Sequence, residues 1–244
     1  MVMTGIARSA LVGLLALAPL AGAEEPLVVE STWGVSLDAS GHVVALESHG
    51  ALKPVLRDPL AEAIRGWEFE PGRIDGQPAP TETSLDLSVA LEADAEGNYQ
   101  VRVVDVRIGA EVASSVPPRF PPRLVRRIKT PFSGLVVAAV RYDAQGRVLE
   151  AELAPGTPAA DPLLQEAALE SIRKWRFQPE RVGGHPLAGS AWVPLCFTLT
   201  TSARHIPDCE HWTPPGANTP VPDGTAFALQ PAATLRSEVV GHLL

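Results

Sequence analysis

Positive charge is scarce in this sequence: 20 Lys and Arg stand against 28 Asp and Glu, for a net charge of −8. The basic runs Arg123–Lys129 and Arg173–Arg176 are short and read as solvated edges, which argues against nucleic acid as a partner. Aromatic residues are few, at 5%, while prolines number 24. That balance suits small units with rigid connections better than one large aromatic core. Cysteine is limited to Cys196 and Cys209. In an oxidising compartment they are open to a disulfide that would staple a strand end to the following tail, or to remaining as thiols.

Catalytic signatures are missing too. The chain has no G-x-S-x-G, no H-E-x-x-H and no phosphate-cradling glycine loop. The nearest approach to a metal set is His205, Cys209 and His211 with Cys196, whose spacing is not a zinc pattern. His42, His49 and His185 lie in turns or loops and read as solvated. We therefore expect no catalysis, no metal and no cofactor.

Long hydrophobic runs are absent except at the start. Arg8 precedes an apolar stretch from Leu11 to Leu20, and Ala21-Gly22-Ala23 follows it. This order predicts a signal peptide over residues 1–23, cleaved after Ala23. A bilayer span needs about 20 apolar residues, so an uncleaved leader holding the protein at the inner membrane is the alternative. No cysteine follows the run, which argues against a lipid anchor. The mature chain is expected to be exported.

What the sequence does contain is a repeated sentence. AIRGWEFEPGRIDGQP, from Ala63 to Pro78, returns as SIRKWRFQPERVGGHP, from Ser171 to Pro186, at an offset of 108 positions. Upstream, Trp33–Asp38 and Val43–Leu46 flank a turn, as do Leu135–Tyr142 and Arg147–Leu149. Each turn starts with Asp (Asp38, Asp143) and ends with Gly (Gly41, Gly146), the chemistry of a tight hairpin. The two aspartates thus read as structural. A helix follows: Leu56, Leu60, Ile64 and Trp67 share one face, as do Leu164, Ala168, Ile172 and Trp175. Asp161-Pro162 supplies a cap and a first-turn proline for the second helix, and Asp58-Pro59 is expected to start a shorter first helix. Trp67, Phe69 and Pro71, and likewise Trp175, Phe177 and Pro179, read as core that locks the helix end to a sheet. Each unit closes on an alternating strand: Leu85, Leu87, Val89 and Leu91 in one, Val193, Leu195, Phe197 and Leu199 in the other. That alternation predicts a sheet covered on one face only.

The fold class is thus α+β, two small β-β-α-β units each with a helix on an antiparallel sheet. Residues 24–110 form the first unit, 111–202 the second, and 203–244 a Pro-rich tail, partly ordered or disordered, with a short helix expected within Ala232–Val240. A unit of this size has a marginal core alone, a reason for two to pack together.

The second repeat resembles the TonB C-terminal domain family. The resemblance rests on VPPRFPPRLVRR at its front with Phe120-Pro121, on the hairpin GLVVAAVRYDAQGRV, and on Trp175, Phe177, Pro179, Gly184 and Pro186 before the last strand. The first repeat matches through its hairpin, Trp67, Phe69, Pro71, Gly76 and Pro78, without the Pro-aromatic-Pro lead-in. The resemblance implies a periplasmic domain of Gram-negative bacteria that adds an extended outer-membrane transporter segment to a sheet edge. A small open sheet leaves such an edge on the strand Trp192–Thr200 or on its partner across the lead-in Phe120–Leu124, with Phe120, Pro121, Val193, Leu195 and Phe197 expected as partner-binding residues. The full transducer also has a retained membrane helix and a long spacer. Here the leader ends about ten residues before Trp33, so we expect a secreted relative without force transduction. A masked edge would point instead to a structural or self-associating scaffold.

Overall fold

The computed structural model describes residues 27–93, 99–128, 131–158, 160–200, 207, 209, 211–215, 217 and 219–244. The expected signal peptide lies outside the described residues. The first half runs β1 (Leu27–Leu37), β2 (Val43–His49), α1 (Pro54–Arg65), β3 (Phe69–Glu70), β4 (Arg73–Ile74), β5 (Gln77–Pro78) and β6 (Thr81–Ala93). Joining elements follow: β7 (Tyr99–Gly109), β8 (Glu111–Ser114) and the single-turn α2 (Pro122–Val125). The second half runs β9 (Phe132–Tyr142), β10 (Val148–Leu153), α3 (Pro162–Ile172), β11 (Arg176–Gln178), β12 (Arg181–Val182), β13 (His185–Pro186) and β14 (Gly189–Leu199). The tail adds β15 (Phe227–Ala228) and β16 (Thr234–Leu235). The architecture is α+β, and both halves pass through the same element order.

The hairpins form as their turn residues dictate. Asp38 Oδ1 accepts the Ser40 and His42 N–H groups at 2.8 and 3.0 Å, and Asp143 Oδ1 accepts those of Gln145 and Arg147 at 2.9 and 2.8 Å. Gly41 and Gly146 have φ of 89° and 73°. Each also receives the backbone of the aromatic two residues beyond its unit's tryptophan: Phe69 N–H donates to Gly41 O at 3.1 Å and Phe177 N–H to Gly146 O at 2.9 Å. A Cβ on either glycine would stand 1.9 Å from that aromatic's carbonyl oxygen. The turn glycine and the Trp-x-Phe motif are therefore two sides of one contact.

The helices differ in how they begin. α3 starts on Asp161, whose side chain accepts Leu163 N–H at 2.9 Å, with Pro162 in the first turn. α1 corrects the expected start: Lys53 and Pro54 open it without a side-chain cap, and Pro59 falls inside. Asp58 instead pairs with Arg57 at 2.9 Å. Pro54 serves the first turn at no cost, whereas Pro59 removes one intrahelical bond. The helix survives because Leu60, Ala61 and Ile64 are buried on the first sheet. Such packing outweighs local propensity in a short helix.

One core lies beneath α1, with Trp33, Leu37, Leu60, Ile64, Trp67, Phe69, Leu85 and Leu87 buried. Another lies beneath α3, with Val136, Val140, Leu164, Ile172, Trp175, Phe177, Val193 and Phe197. Fully burying a side chain of this kind contributes roughly 2 kcal/mol. The expectation of one-sided sheets needs correction for the second. Leu135 and Val137 on its far face are buried with Ala154, Trp212 and Val221. The unbroken apolar run from Leu135 to Val140 is what two-sided burial demands.

Strand pairing joins the halves. The first sheet has the order β13-β12-β6-β1-β2, with β7 also on β6. The hairpin β12–β13 of the second half thus extends the sheet of the first, through Arg181 opposite Glu82 and Val182 opposite Thr81. The second sheet has the order β10-β9-β14-β15. No helix forms within Ala232–Val240. The tail instead crosses to the first half, where β16 pairs with β3 and residues 241–244 bond to β7 at Val101 and Val103. Exposed backbone on β3 and β7 gives these residues partners that an isolated helix turn could not.

Candidate partner-binding edge

Val193, Leu195 and Phe197 are 0%, 4% and 3% exposed. The alternation along β14 turns them all under α3, so these side chains offer no surface, a correction to their expected role as partner contacts. Phe120 is half-buried against Phe132 and Phe197, edge-on at 6.0 and 6.2 Å between ring centroids. Pro121 caps the short α2. The lead-in is pinned further by Trp175 Nε1, which donates to Val116 O at 3.0 Å, and by Ser171 Oγ, which donates to the same oxygen. Trp67, Phe69 and Pro71 are buried, as are Trp175 and Phe177, and Pro179 is half-buried.

What β14 can offer a partner is its backbone margin and its far-face side chains. The near margin is taken by β9 along its full length, from Gly189 opposite Tyr142 to Leu199 opposite Phe132. The far margin turns out the backbone groups of Ser190, Pro194 and Cys196, and the tail meets each of them. Leu229 N–H donates to Ser190 O at 3.0 Å, and Gly224 N–H donates to Pro194 O at 2.8 Å. Cys196 N–H donates to Asp223 Oδ1 at 2.7 Å. Between these, Ala228 pairs with Ala191 and Phe227 with Trp192. The Trp192 ring stacks on Phe227 at 6.2 Å and meets Trp212 edge-on at 5.6 Å. The margin is therefore closed in cis over residues 190–196.

Pro194 sets the character of this margin. Lacking an N–H, it breaks the outward hydrogen-bond pattern in mid-strand, a placement proline tolerates only at an edge. Just beyond it, Cys196 N–H takes a carboxylate rather than a carbonyl. Burial pushes the Asp223 carboxyl up, against the pull of the Cys196 N–H. Cys196 and Cys209 form a disulfide with a Cα–Cα distance of 6.0 Å, tying the start of the tail to the same strand.

A second concavity, of about 780 Å³, opens where the halves meet. Its wall includes Glu47, His49, Glu82, Ser84, Glu111 and Glu180. His49 is half-buried rather than solvated, with Nδ1 2.8 Å from Glu111 Oε2. Ser84 Oγ donates to the same oxygen at 3.3 Å. Imidazole and hydroxyl thus both address the carboxylate instead of each other, and no activated serine results. Glu180 is 6% exposed. It accepts Thr83 Oγ1–H at 2.7 Å and Ala232 N–H at 2.9 Å, joining second half, first half and tail. Burial pushes its carboxyl up, and these bonds pull the other way. Burial likewise lifts the Tyr142 hydroxyl to about 12.

Among the described residues no three His, Cys, Asp or Glu side chains group as a metal site. His205 lies outside the described residues, Cys196 and Cys209 are committed to each other, and His211 is exposed. His42 and His185 are exposed. Among the described residues no helix is long and apolar enough to cross a membrane. Sequence reasoning missed Asp223, Phe227 and the meaning of Pro194. A mid-strand proline on the polar side was the one available signal of an edge.

Comparison with known proteins bears on the second half. Residues 116–199 match the family model of the Gram-negative bacterial TonB protein C-terminal. Protein TonB of Vibrio cholerae serotype O1 is 36% identical over 92 residues, covering 37% of this chain and 35% of that protein. Protein TonB of Xanthomonas campestris pv. campestris is 34% identical over 96 residues, covering 38% of this chain and 41% of that protein. The chain thus spans little more than a third of the length of the curated relatives it matches. No solved structure matches it. The lead-in, hairpin, capped helix, Trp-x-Phe-x-Pro and closing strand all fall inside the matched stretch, and over residues 116–199 this second half is similar to the TonB C-terminal family.

Proposed function

We propose that this chain is a non-catalytic protein-binding module of the Gram-negative periplasm, built from two like units and engaging an extended segment of an envelope or outer-membrane protein at the far margin of β14. The observation that carries this reading is the seat of the tail. The margin accepts an added extended segment through backbone bonds at Ser190 and Pro194 and through a side chain at Cys196. A sheet edge that binds one such segment has the groups to bind another. Similarity to the family over residues 116–199 supports the same reading. The expected signal peptide supports the compartment, and the disulfide is consistent with an oxidising one.

The test is to titrate the isotope-labelled chain from Glu24 to Leu244 with synthetic peptides from the periplasm-facing ends of outer-membrane transporters. Saturable amide shifts concentrated in Ser190–Cys196 are expected. Shifts confined to β2 or β10, or none, would sink the reading.

A second reading is a scaffold whose edge is permanently masked. The cis tail favours it. It predicts that no peptide reaches the β14 margin even after the tail is loosened.

A further inference from the structure

We propose that tail residues Asp223–Leu229 are a built-in ligand of the β14 margin, and that they specify the chemistry of the partner that replaces them: an extended segment with a carboxylate, a small residue next to it, and an aromatic ring four positions after the carboxylate. This rests on the reading that the β14 margin is the binding edge.

The argument begins at Pro194. A regular strand laid along this margin would aim a carbonyl at position 194 and find no N–H there. An extended partner must therefore leave the ladder and rejoin it. The tail does so. It runs in register opposite Ala191 and Trp192, with Leu229 N–H on Ser190 O, and past this short ladder Gly224 gives its N–H to Pro194 O. Asp223 places a carboxylate oxygen where the next backbone carbonyl would have stood, on Cys196 N–H. A hydrogen bond to an ionised acceptor is the stronger kind, so an acidic side chain at this position gains more than an amide or hydroxyl. A small residue beside it lets the backbone approach the proline ring closely.

The aromatic position follows from the far face. Trp192 presents its ring between Trp212 and Phe227, and Phe227 stacks on it within 13° of parallel. On the opposite side of the segment, Ala226 is 7% exposed and belongs to the core under α3. Ala228 lies so close to Gly109 that a Cβ there would stand 2.3 Å from the Ala228 Cβ. The positions flanking the aromatic must thus be small. The pattern read from the seat is acidic, small, any, small, aromatic, small.

The tail is tethered, so it competes at the high effective concentration of an intramolecular contact. The Cys196–Cys209 bridge halves the free chain between β14 and Asp223, which raises that concentration by only about threefold. A free segment of equal intrinsic affinity is therefore held off by the tether, and a partner gains entry by matching the pattern better or by loosening the tail.

The test uses the chain from Glu24 to Leu244 and, as probe, a synthetic peptide of residues 220–231. Wild type and the double variant Asp223→Ala, Phe227→Ala are compared by calorimetry and by amide hydrogen exchange. Exchange at Cys196 and Trp192 should accelerate in the variant, while β6 and β9 keep their protection and report an intact fold. The variant should bind the peptide at least tenfold more tightly than wild type. Peptides with Asp→Asn at the 223 position or Phe→Ala at the 227 position should each lose roughly fivefold. Equal binding by wild type and variant, indifference to the two peptide changes, or unchanged protection of Cys196 would overturn the proposal. So would a wild-type dimer with exchanged tails, detected by sedimentation. If the tail peptide binds as described and transporter peptides do not, the proposed partner class fails while the seat stands.

Discussion

On the first sheet, the face turned away from α1 carries Glu30, Asp86, Asp105 and Arg107, with Arg107 and Asp105 paired at 2.6 Å and only 10% and 19% exposed. On the second sheet, the face turned away from α3 carries Leu135, Val137, Trp192 and Pro194, buried or half-buried with Trp212, Val221 and Phe227. The faces beneath the helices are built alike, with large apolar side chains around Trp67 in one and Trp175 in the other, and Trp33 added to the first. The difference decides which back face the tail covers. An apolar back face repays burial by Val221, Trp212 and Phe227, whereas a charged one would exact desolvation from any apolar cover. Like local sequences have thus made like fronts, and unlike backs give the halves different surroundings: one back face is charged and the other is covered by the tail.

That contrast can be broken at several points. The largest effects are expected at the paired tryptophans. Trp175→Ala and Trp67→Ala should each lower stability in urea denaturation by about 4 kcal/mol. The loss should be larger for Trp175, which also bonds Val116 O and is 2% exposed against 6%. Equal losses would mean that the lead-in contact contributes nothing. Next comes Glu180→Ala, which orphans the Ala232 N–H and should cost about 2 kcal/mol by the same assay. A neutral result would show that the junction of the halves does not depend on it. Smaller still, Asp161→Ala should cost about 1 kcal/mol by removing the α3 cap. Lys53→Ala at the uncapped start of α1 should stay within about 0.5 kcal/mol.

The smallest signal is a slope with pH. Burial raises the carboxyls of Glu30, Asp86, Glu180 and Asp223 above their unfolded values. Each therefore holds a proton more tightly when folded, and the stability it contributes is fully present below the unfolded value and lost as pH rises through the folded one. Carboxylates such as Asp143 and Glu150 are lowered by their hydrogen bonds and act in the opposite sense, but their arginine partners lie in solvent, so these pairs carry little weight. Stability should rise modestly from pH 7 toward about pH 5, and Glu180→Gln should flatten that rise in urea midpoints. A steady fall over the same range would contradict it.

The sequence made the hairpins, the α3 cap, the helix registers and the Trp-x-Phe-x-Pro core legible, because each is fixed by residues close together in the chain. Asp38 with Gly41 and Asp143 with Gly146 needed no distant partner to be read. Pro59 misled because a helix interior can absorb a proline when its buried face holds it, and no local signal reports that face. The run Leu135–Val140 did announce burial on both sides, yet the alternation of Pro194, Cys196 and Thr198 on the neighbouring strand suggested a wet face. The seat of β12–β13 on β6 and of the tail on β14 left no pattern, since two to four paired residues are too few for a period. The candidate partner-binding residues Val193, Leu195 and Phe197 turned out to lie beneath α3, because side-chain alternation along a strand, and not the strand's place in a resemblance, decides which side chains point out of it.

The route of the last residues has a mechanical consequence. The chain passes from the β14 margin to β3 and ends on β7. A load applied at Leu244 would reach these three attachments in series, β7 first and β14 last, each held by only a few bonds. Each would peel rather than shear, so a pulling experiment should record small ordered steps at low force before the sheets themselves yield. The edge would then be uncovered by tension as Val239 and Ala233 leave the first core and Ala226 leaves the second.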